Sequence, residues 1–119
     1  MPSEKPIVRL EDILENIDRI GRYTKAHDLQ SFAQDQQCRD AVERCLLRIS
    51  EAARKLQDTA ERIAPDQPWS SIRALGNVIR HEYDSVSPVA IWQIVKEDLP
   101  APARAIKAAI HTLQSKQSD

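Results

Sequence analysis

Apolar residues recur every three or four positions along most of the sequence, which is the spacing of one face of an α-helix. The first such stripe runs from Ile7 to Tyr23, and the polar stretch at 26–28 interrupts it. Glycine and aromatic residues, which favour turns and sheets, are scarce, with two glycines and 4% aromatics. The pattern therefore predicts an all-α protein.

The second apolar stripe is the longest, and we predict one helix from Phe32 to Ala64 with a kink near Asp35. Ser31 precedes it and belongs to a residue type that favours the N-cap position. At 1.5 Å per residue this helix would be on the order of 45 Å long, more than the core of a domain of this size requires. The excess length favours a dimer in which a second subunit covers part of the helix.

Prolines separate the remaining predicted helices, because proline ends a helix or occupies its first turn. A third helix is expected to begin near Ser70 or Ser71, a fourth at Ser87-Pro88, and a fifth after the prolines at 100 and 102. The prediction is an antiparallel bundle of four or five helices, forming one domain over residues 1–119. Residues 1–6 and 115–119 are predicted to be flexible ends.

Charge and cysteine content limit the location and the partners of the protein. A net charge of −1 gives no basic surplus for tracking long nucleic acids, so any RNA contact must be local or shared between subunits. We expect neither a targeting signal nor a membrane-spanning segment, because the apolar residues near the start recur at helical spacing and form no unbroken run. Cys38 and Cys45 lie roughly 10 Å apart along one predicted helix, too far for a disulfide, and both fall on its apolar stripe. We therefore predict buried thiols in a reduced, cytoplasmic protein.

The segment Leu75–Asp84 concentrates side chains that can carry chemistry. Asn77 and His81 are four residues apart and share a helix face if the third helix extends that far. An imidazole can donate or accept a proton near neutral pH, and a guanidinium such as that of Arg80 can hold a phosphate and stabilise its developing charge. These groups suit metal-independent cleavage of RNA, in which the ribose 2′-OH attacks the adjacent phosphate.

A structural interpretation of the same segment remains open. His81 can cap the end of the helix, and Arg80 can pair with Asp84 on the surface. Trp69 and Trp92 are expected to be packing anchors. The basic residues that we interpret as a solvated face are Arg54, Lys55 and Arg62.

Metal and cofactor sites are not indicated by the sequence. His27 and His111 lie alone in separate segments, so no Cys/His cluster is visible. The two glycines, Gly21 and Gly76, do not form a phosphate-binding loop. We therefore predict neither a metal nor a cofactor.

Several short stretches of the sequence are individually common in proteins. Their order and spacing together are more specific and point to one family. They are Leu10–Leu14, Ile17–Ile20, Tyr23-Thr24, Phe32–Asp35, Ala41-Val42, Glu51–Ala53, Pro68-Trp69, the Asn77 to Tyr83 segment, Trp92–Val95 and Glu97–Pro100. From Leu10 to Leu99 the sequence resembles the HepT-like branch of the HEPN family.

The resemblance implies an all-helical homodimer that acts as the toxin of a toxin–antitoxin pair. In the family, two Arg-x(4)-His motifs face each other across a cleft at the dimer interface and cleave RNA without a metal ion. The implied antitoxin is a minimal nucleotidyltransferase of the MntA type, which adds AMP to the tyrosine of an extended Arg-x(4)-His-x-Tyr motif. By position, His81 is the motif histidine, Asn77 the polar residue after the motif arginine, and Tyr83 the AMP acceptor.

The position of the motif arginine is occupied by Gly76. Arg73 lies on the same helical stripe as Asn77 and His81, and Arg80 adjoins the histidine, so either arginine is a candidate phosphate ligand. Three hypotheses follow. The protein is a HepT-like ribonuclease toxin, a catalytically impaired HEPN module that binds the nucleotidyltransferase or nucleotides, or a helical dimer of unrelated role.

Overall fold

A computed structural model describes residues 5–81 and 87–118, and every element within these ranges is helical. The helices are α1 (Pro6–Thr24), α2 (Leu29–Gln34), α3 (Gln36–Leu56), α4 (Thr59–Ile63), α5 (Trp69–His81), α6 (Pro88–Gln93) and α7 (Pro100–Ser118), with a π-helical turn over Ile94–Asp98. The prediction of an all-α bundle is confirmed. The helices outnumber the four or five expected, because the second predicted helix is divided.

The bundle is built around α3. α1 packs antiparallel along one side of α3 and α5 along another, while α7 packs against α1 and α2 against α6. Trp69 is almost fully buried, and its indole N–H donates to the carbonyl of Ala64 at 2.8 Å. The ring of Trp92 lies 5.1 Å from that of Phe32. Both tryptophans are therefore packing anchors, as predicted.

The single helix predicted over 32–64 is wrong, since the structure breaks it at Asp35 and at Gln57. Asp35 has an extended backbone, and its carboxylate accepts a hydrogen bond from the Cys38 N–H, which makes it the N-cap of α3. Gln57 has a left-handed φ of 51° and ends α3. α3 is therefore about 31 Å long. The argument for a dimer from excess helix length no longer applies.

The predicted helix starts agree with the structure to different degrees. Ser31 is not the N-cap of α2, because Asp28 takes that position and the two residues form a capping box with reciprocal hydrogen bonds. Ser87 caps α6 as predicted. α5 begins at Trp69, one residue earlier than expected, and α7 begins at Pro100, whose missing N–H is not needed in a first turn.

Both cysteines are buried free thiols, as predicted. Burial raises the pKa of each thiol, and the charge of Asp35 adds to the increase at Cys38. Neither thiol has the lowered pKa that marks a reactive cysteine.

The ends of the chain fall partly outside the described ranges, and α7 extends through Ser118. No described helix combines the length and the hydropathy that crossing a bilayer requires.

Candidate functional site

Residues 73–77 of α5 lie along the C-terminal half of α3. Because the two helices run antiparallel, Arg73 lies opposite Gln57, and Asn77 lies opposite Arg54. α5 extends to His81, so the backbone positions of Asn77 and His81 fall on one side of the helix. The side chains of Arg80 and His81, and the whole of Tyr83, lie outside the described residues.

Gly76 forms part of the contact between α3 and α5. The buried Ser50 hydroxyl donates to the carbonyl of Arg73 at 2.7 Å and accepts from the N–H of Gly76 at 3.1 Å. Gly76 is itself buried. Gly76, at the position that the resemblance assigns to the motif arginine, thus contributes to helix packing and supplies no guanidinium.

Arg73 joins α5 to α4 and to the end of α3. Its guanidinium donates to both carboxylate oxygens of Glu61 at 2.6 and 2.8 Å and to the carbonyl of Gln57 at 2.6 Å. The hydrogen bonds and charge of Glu61 raise the pKa of Arg73, and those of Arg73 lower the pKa of Glu61. Arg73 is therefore paired with Glu61 within the fold. Its contact with an RNA phosphate stays a prediction.

Replacing Arg73 by alanine is expected to lower the free energy of unfolding by about 2 kcal/mol, because a side chain that is 23% exposed loses several charge-assisted hydrogen bonds. Chemical denaturation measures the change. Arg62→Ala is the matched control, since Arg62 pairs with Asp58 on the exposed surface and should contribute little. Equal effects of the two substitutions would contradict the structural role of Arg73.

The same pair gives an expected pH dependence. The folded-state pKa of Glu61 lies below its ordinary value of 4.5, so the stability that the pair contributes is fully present above pH 4.5. It should be lost as the pH falls through the lowered folded-state pKa. In Glu61→Gln this part of the acid destabilisation should be absent.

Arg54 supplies the guanidinium that lies beside Asn77. Its Nη2 donates to Asn77 Oδ1 at 3.2 Å and to the carbonyl of Arg73 at 3.1 Å. Within the described residues Nε and Nη1 make no hydrogen bond, and no carboxylate pairs with Arg54. Arg54 and Asn77 are both exposed. The interpretation of Arg54 as part of a solvated face missed this contact, because its partner is 23 residues away in another helix.

Further cations lie on the exposed side of α3. Arg44 and Arg48, together with Leu47 and Glu51, line a shallow depression of about 380 Å³. Because α5 runs antiparallel to α3, position 81 lies beyond Asn77 toward this part of α3. Arg44, Arg48 and Arg54 are exposed cations of α3 and Glu51 is an exposed anion among them, so this surface of α3 carries a local positive excess.

Outside this surface, the described residues bring one group of metal-ligating side chains together. His27, Asp35 and Cys38 converge at the junction of α1, α2 and α3. The prediction that His27 lies alone is therefore wrong, because Asp35 and Cys38, eight and eleven positions further along, are brought close by the breaks on either side of α2. His111 is exposed on α7.

Comparison with known proteins agrees with the resemblance found in the sequence. The family model described as "Ribonuclease HepT-like" matches residues 13–109. The chain is 35% identical over 91 residues to a Methanocaldococcus jannaschii protein named "Putative RNase MJ1380", covering 76% of this chain and 84% of that protein. It is 33% identical over 92 residues to the "Probable ribonuclease HepT" of Thermococcus cleftensis, covering 77% and 84%. No solved structure matches the chain. The chain belongs to the HepT-like ribonuclease family.

Proposed function

We propose that the protein is an RNA endonuclease in which Arg54 of α3 supplies the guanidinium that holds the scissile phosphate. The observation that carries the proposal is the hydrogen bond of 3.2 Å between Arg54 Nη2 and Asn77 Oδ1. This contact holds a guanidinium beside Asn77. The backbone position of His81 lies about one helical turn further along the same side of α5. Membership of the HepT-like ribonuclease family supports the reaction class. Arg54 thus takes the role that Gly76 cannot perform.

The proposed reaction uses only the RNA and side chains. The ribose 2′-OH attacks the adjacent phosphorus, so a bond forms between the 2′-oxygen and phosphorus while the bond to the 5′-oxygen breaks. His81 accepts the proton of the 2′-OH, and the His81 of a second subunit donates a proton to the leaving 5′-oxygen. The Arg54 guanidinium donates a charge-assisted hydrogen bond to a non-bridging oxygen, and Asn77 positions Arg54.

A cleavage assay on the purified protein tests this function. The protein should cut a fluorophore–quencher RNA in excess EDTA, because no step requires a metal ion. A matched preparation of the Arg54→Ala/His81→Ala double variant should not cut it, which excludes a contaminating nuclease. Cleavage by both preparations, or by neither while both are folded, would contradict the proposal.

A catalytically impaired binding module is the second candidate, favoured by the burial of Gly76 at the motif arginine position. Such a protein would bind the nucleotidyltransferase or nucleotides but leave RNA intact. The cleavage assay distinguishes the two functions directly.

We infer that the active form is a homodimer, because the reaction needs an acid and a base on opposite sides of the phosphate and one chain carries one motif histidine. Light scattering at tens of micromolar protein should give about twice the chain mass of 13.5 kDa. A mass equal to that of one chain at this concentration would contradict an active site shared between two subunits.

We further propose that a nucleotidyltransferase partner of the MntA type neutralises the protein by adding AMP to Tyr83. The phenol oxygen would attack the α-phosphorus of ATP, lose its proton to a base of the partner and release pyrophosphate. A bulky anion two positions from His81 would then repel an RNA phosphate.

Co-expression with the partner followed by intact-mass analysis tests the modification. AMP-sized additions should appear on the unsubstituted protein and on the control variant Tyr23→Phe, which removes an exposed tyrosine of α1. They should vanish in Tyr83→Phe. The chain should slow cell growth when expressed alone and lose this effect with the partner. Additions that persist in Tyr83→Phe would assign the acceptor elsewhere.

A further inference from the structure

A histidine, a carboxylate and a thiol converge where α1, α2 and α3 meet. His27 lies in the connection after α1, Asp35 links α2 to α3, and Cys38 lies in the first turn of α3. Their ligand atoms all lie within 4.8 Å of one another. His27 Nε2 is 3.3 Å from Asp35 Oδ2. These three residue types supply the nitrogen, oxygen and sulfur ligands that proteins offer to Zn²⁺.

Hydrogen bonds to neighbouring groups orient two of these ligands. His27 Nδ1 is 2.9 Å from the Ser31 hydroxyl. In the tautomer in which Nδ1 donates to this hydroxyl, the lone pair of Nε2 is left for a metal ion on the side that faces Asp35. Asp35 Oδ1 accepts the Cys38 N–H at 2.9 Å, which leaves Oδ2 available. Outer hydrogen bonds of this kind fix the tautomer and the direction of metal ligands in zinc sites.

The three side chains form a partly enclosed site with an open side. Cys38 is 8% exposed, the His27 side chain 18%, and the Asp35 side chain 41%. Among the residues that the structure describes, the Cys38 thiol makes one weak hydrogen bond, of 3.5 Å, to the carbonyl of Tyr23. Water can therefore reach the cluster at Asp35, while the Cys38 sulfur and the His27 imidazole lie mostly within the protein.

We propose that this junction binds Zn²⁺ through His27 Nε2, Asp35 Oδ2 and Cys38 Sγ, with a water molecule as the fourth ligand. Ligand atoms around a tetrahedral Zn²⁺ lie about 3.2–3.8 Å apart, so Zn²⁺ binding draws the three ligand atoms together by up to about 1 Å. Binding forms a Zn–S bond and releases the thiol proton to water.

The bound metal stabilises the fold and takes no part in cleavage. Cys38 and Arg54 are separated by about 24 Å along the axis of α3. The three ligands come from three consecutive parts of the chain, so the metal ties the end of α1 to the start of α3. Zn²⁺ should bind the folded chain more tightly than the unfolded one, and it should therefore raise the melting temperature.

Titration of the full-length, metal-free protein with ZnCl2 against a chromophoric chelator tests the site, together with thermal melts. One Zn²⁺ should bind per chain and raise the melting temperature by about 10 °C at a concentration near 100 times its Kd. His27→Gln and Cys38→Ala should each weaken binding by at least about 10²-fold. Cys45→Ala and His111→Gln are matched controls and should bind Zn²⁺ as the unmodified protein does.

Two outcomes would overturn the proposal. One is Zn²⁺ binding that His27→Gln and Cys38→Ala leave unchanged. The other is no increase in melting temperature at millimolar ZnCl2, which would leave His27 and Asp35 as a surface ion pair. Because Cys38 is buried, circular dichroism must show that Cys38→Ala is folded, and the more exposed His27→Gln variant gives an independent answer.

Discussion

Replacing Arg54 by alanine is expected to lower the rate of RNA cleavage by about 10²–10³-fold, because the substitution removes a guanidinium that acts on the phosphate in the transition state. Lys55→Ala is the matched control, since Lys55 is the adjacent exposed cation on α3 and makes no contact with Asn77. Its rate should change little. Arg54→Lys should fall between the two, because an ammonium retains the charge and loses the planar set of donors.

Single-turnover cleavage at saturating protein measures this effect, with activity compared at equal folded fraction. Full activity in Arg54→Ala together with a large loss in Arg80→Ala or Arg73→Ala would identify one of those residues as the phosphate ligand. Gly76→Arg in the Arg54→Ala background gives a further check, because an arginine at the motif position should restore part of the rate. Stability must be measured in parallel, since Gly76 is buried against α3.

His81→Ala is expected to reduce cleavage by about 10²–10⁴-fold, because it removes the group that transfers protons in the transition state. His111→Ala is the control, as His111 is exposed on α7 and takes no part in the proposed reaction. Since Arg54 and His81 act on the same step, the double variant should lose less than the product of the two single effects. A His81→Ala protein that cleaves at the original rate would exclude the proposed site.

The fold class could be predicted because it depends on local spacing. Apolar residues three and four positions apart define α1 and α3, and Ser87 caps α6 through a hydrogen bond to a nearby N–H. The break at Gln57 could not be predicted, since glutamine does not favour a left-handed backbone. Its carbonyl accepts a hydrogen bond from Arg73 of α5, so the break depends on packing between helices.

The same difference between local spacing and contacts between helices decides how much of the candidate site could be predicted. Asn77 and His81 are four residues apart in one helix, so the sequence was enough to put their backbone positions on one side of it. The contact of Arg54 with Asn77 joins two helices, and the cluster of His27, Asp35 and Cys38 depends on the breaks around α2. Spacing along the sequence carries no signal for either group.

The proposed use of the ribose 2′-OH as nucleophile is tested most directly by the products of cleavage in EDTA. The substrates would be an all-ribose oligonucleotide and a matched one with a single 2′-deoxynucleotide on the 5′ side of each mapped cut. The proposal predicts fragments that end in a 2′,3′-cyclic phosphate and begin with a 5′-hydroxyl, and no cut beside a 2′-deoxynucleotide. Cleavage beside the 2′-deoxynucleotide, or fragments that begin with a 5′-phosphate, would show that water or another external group attacks the phosphate and would contradict the proposed reaction.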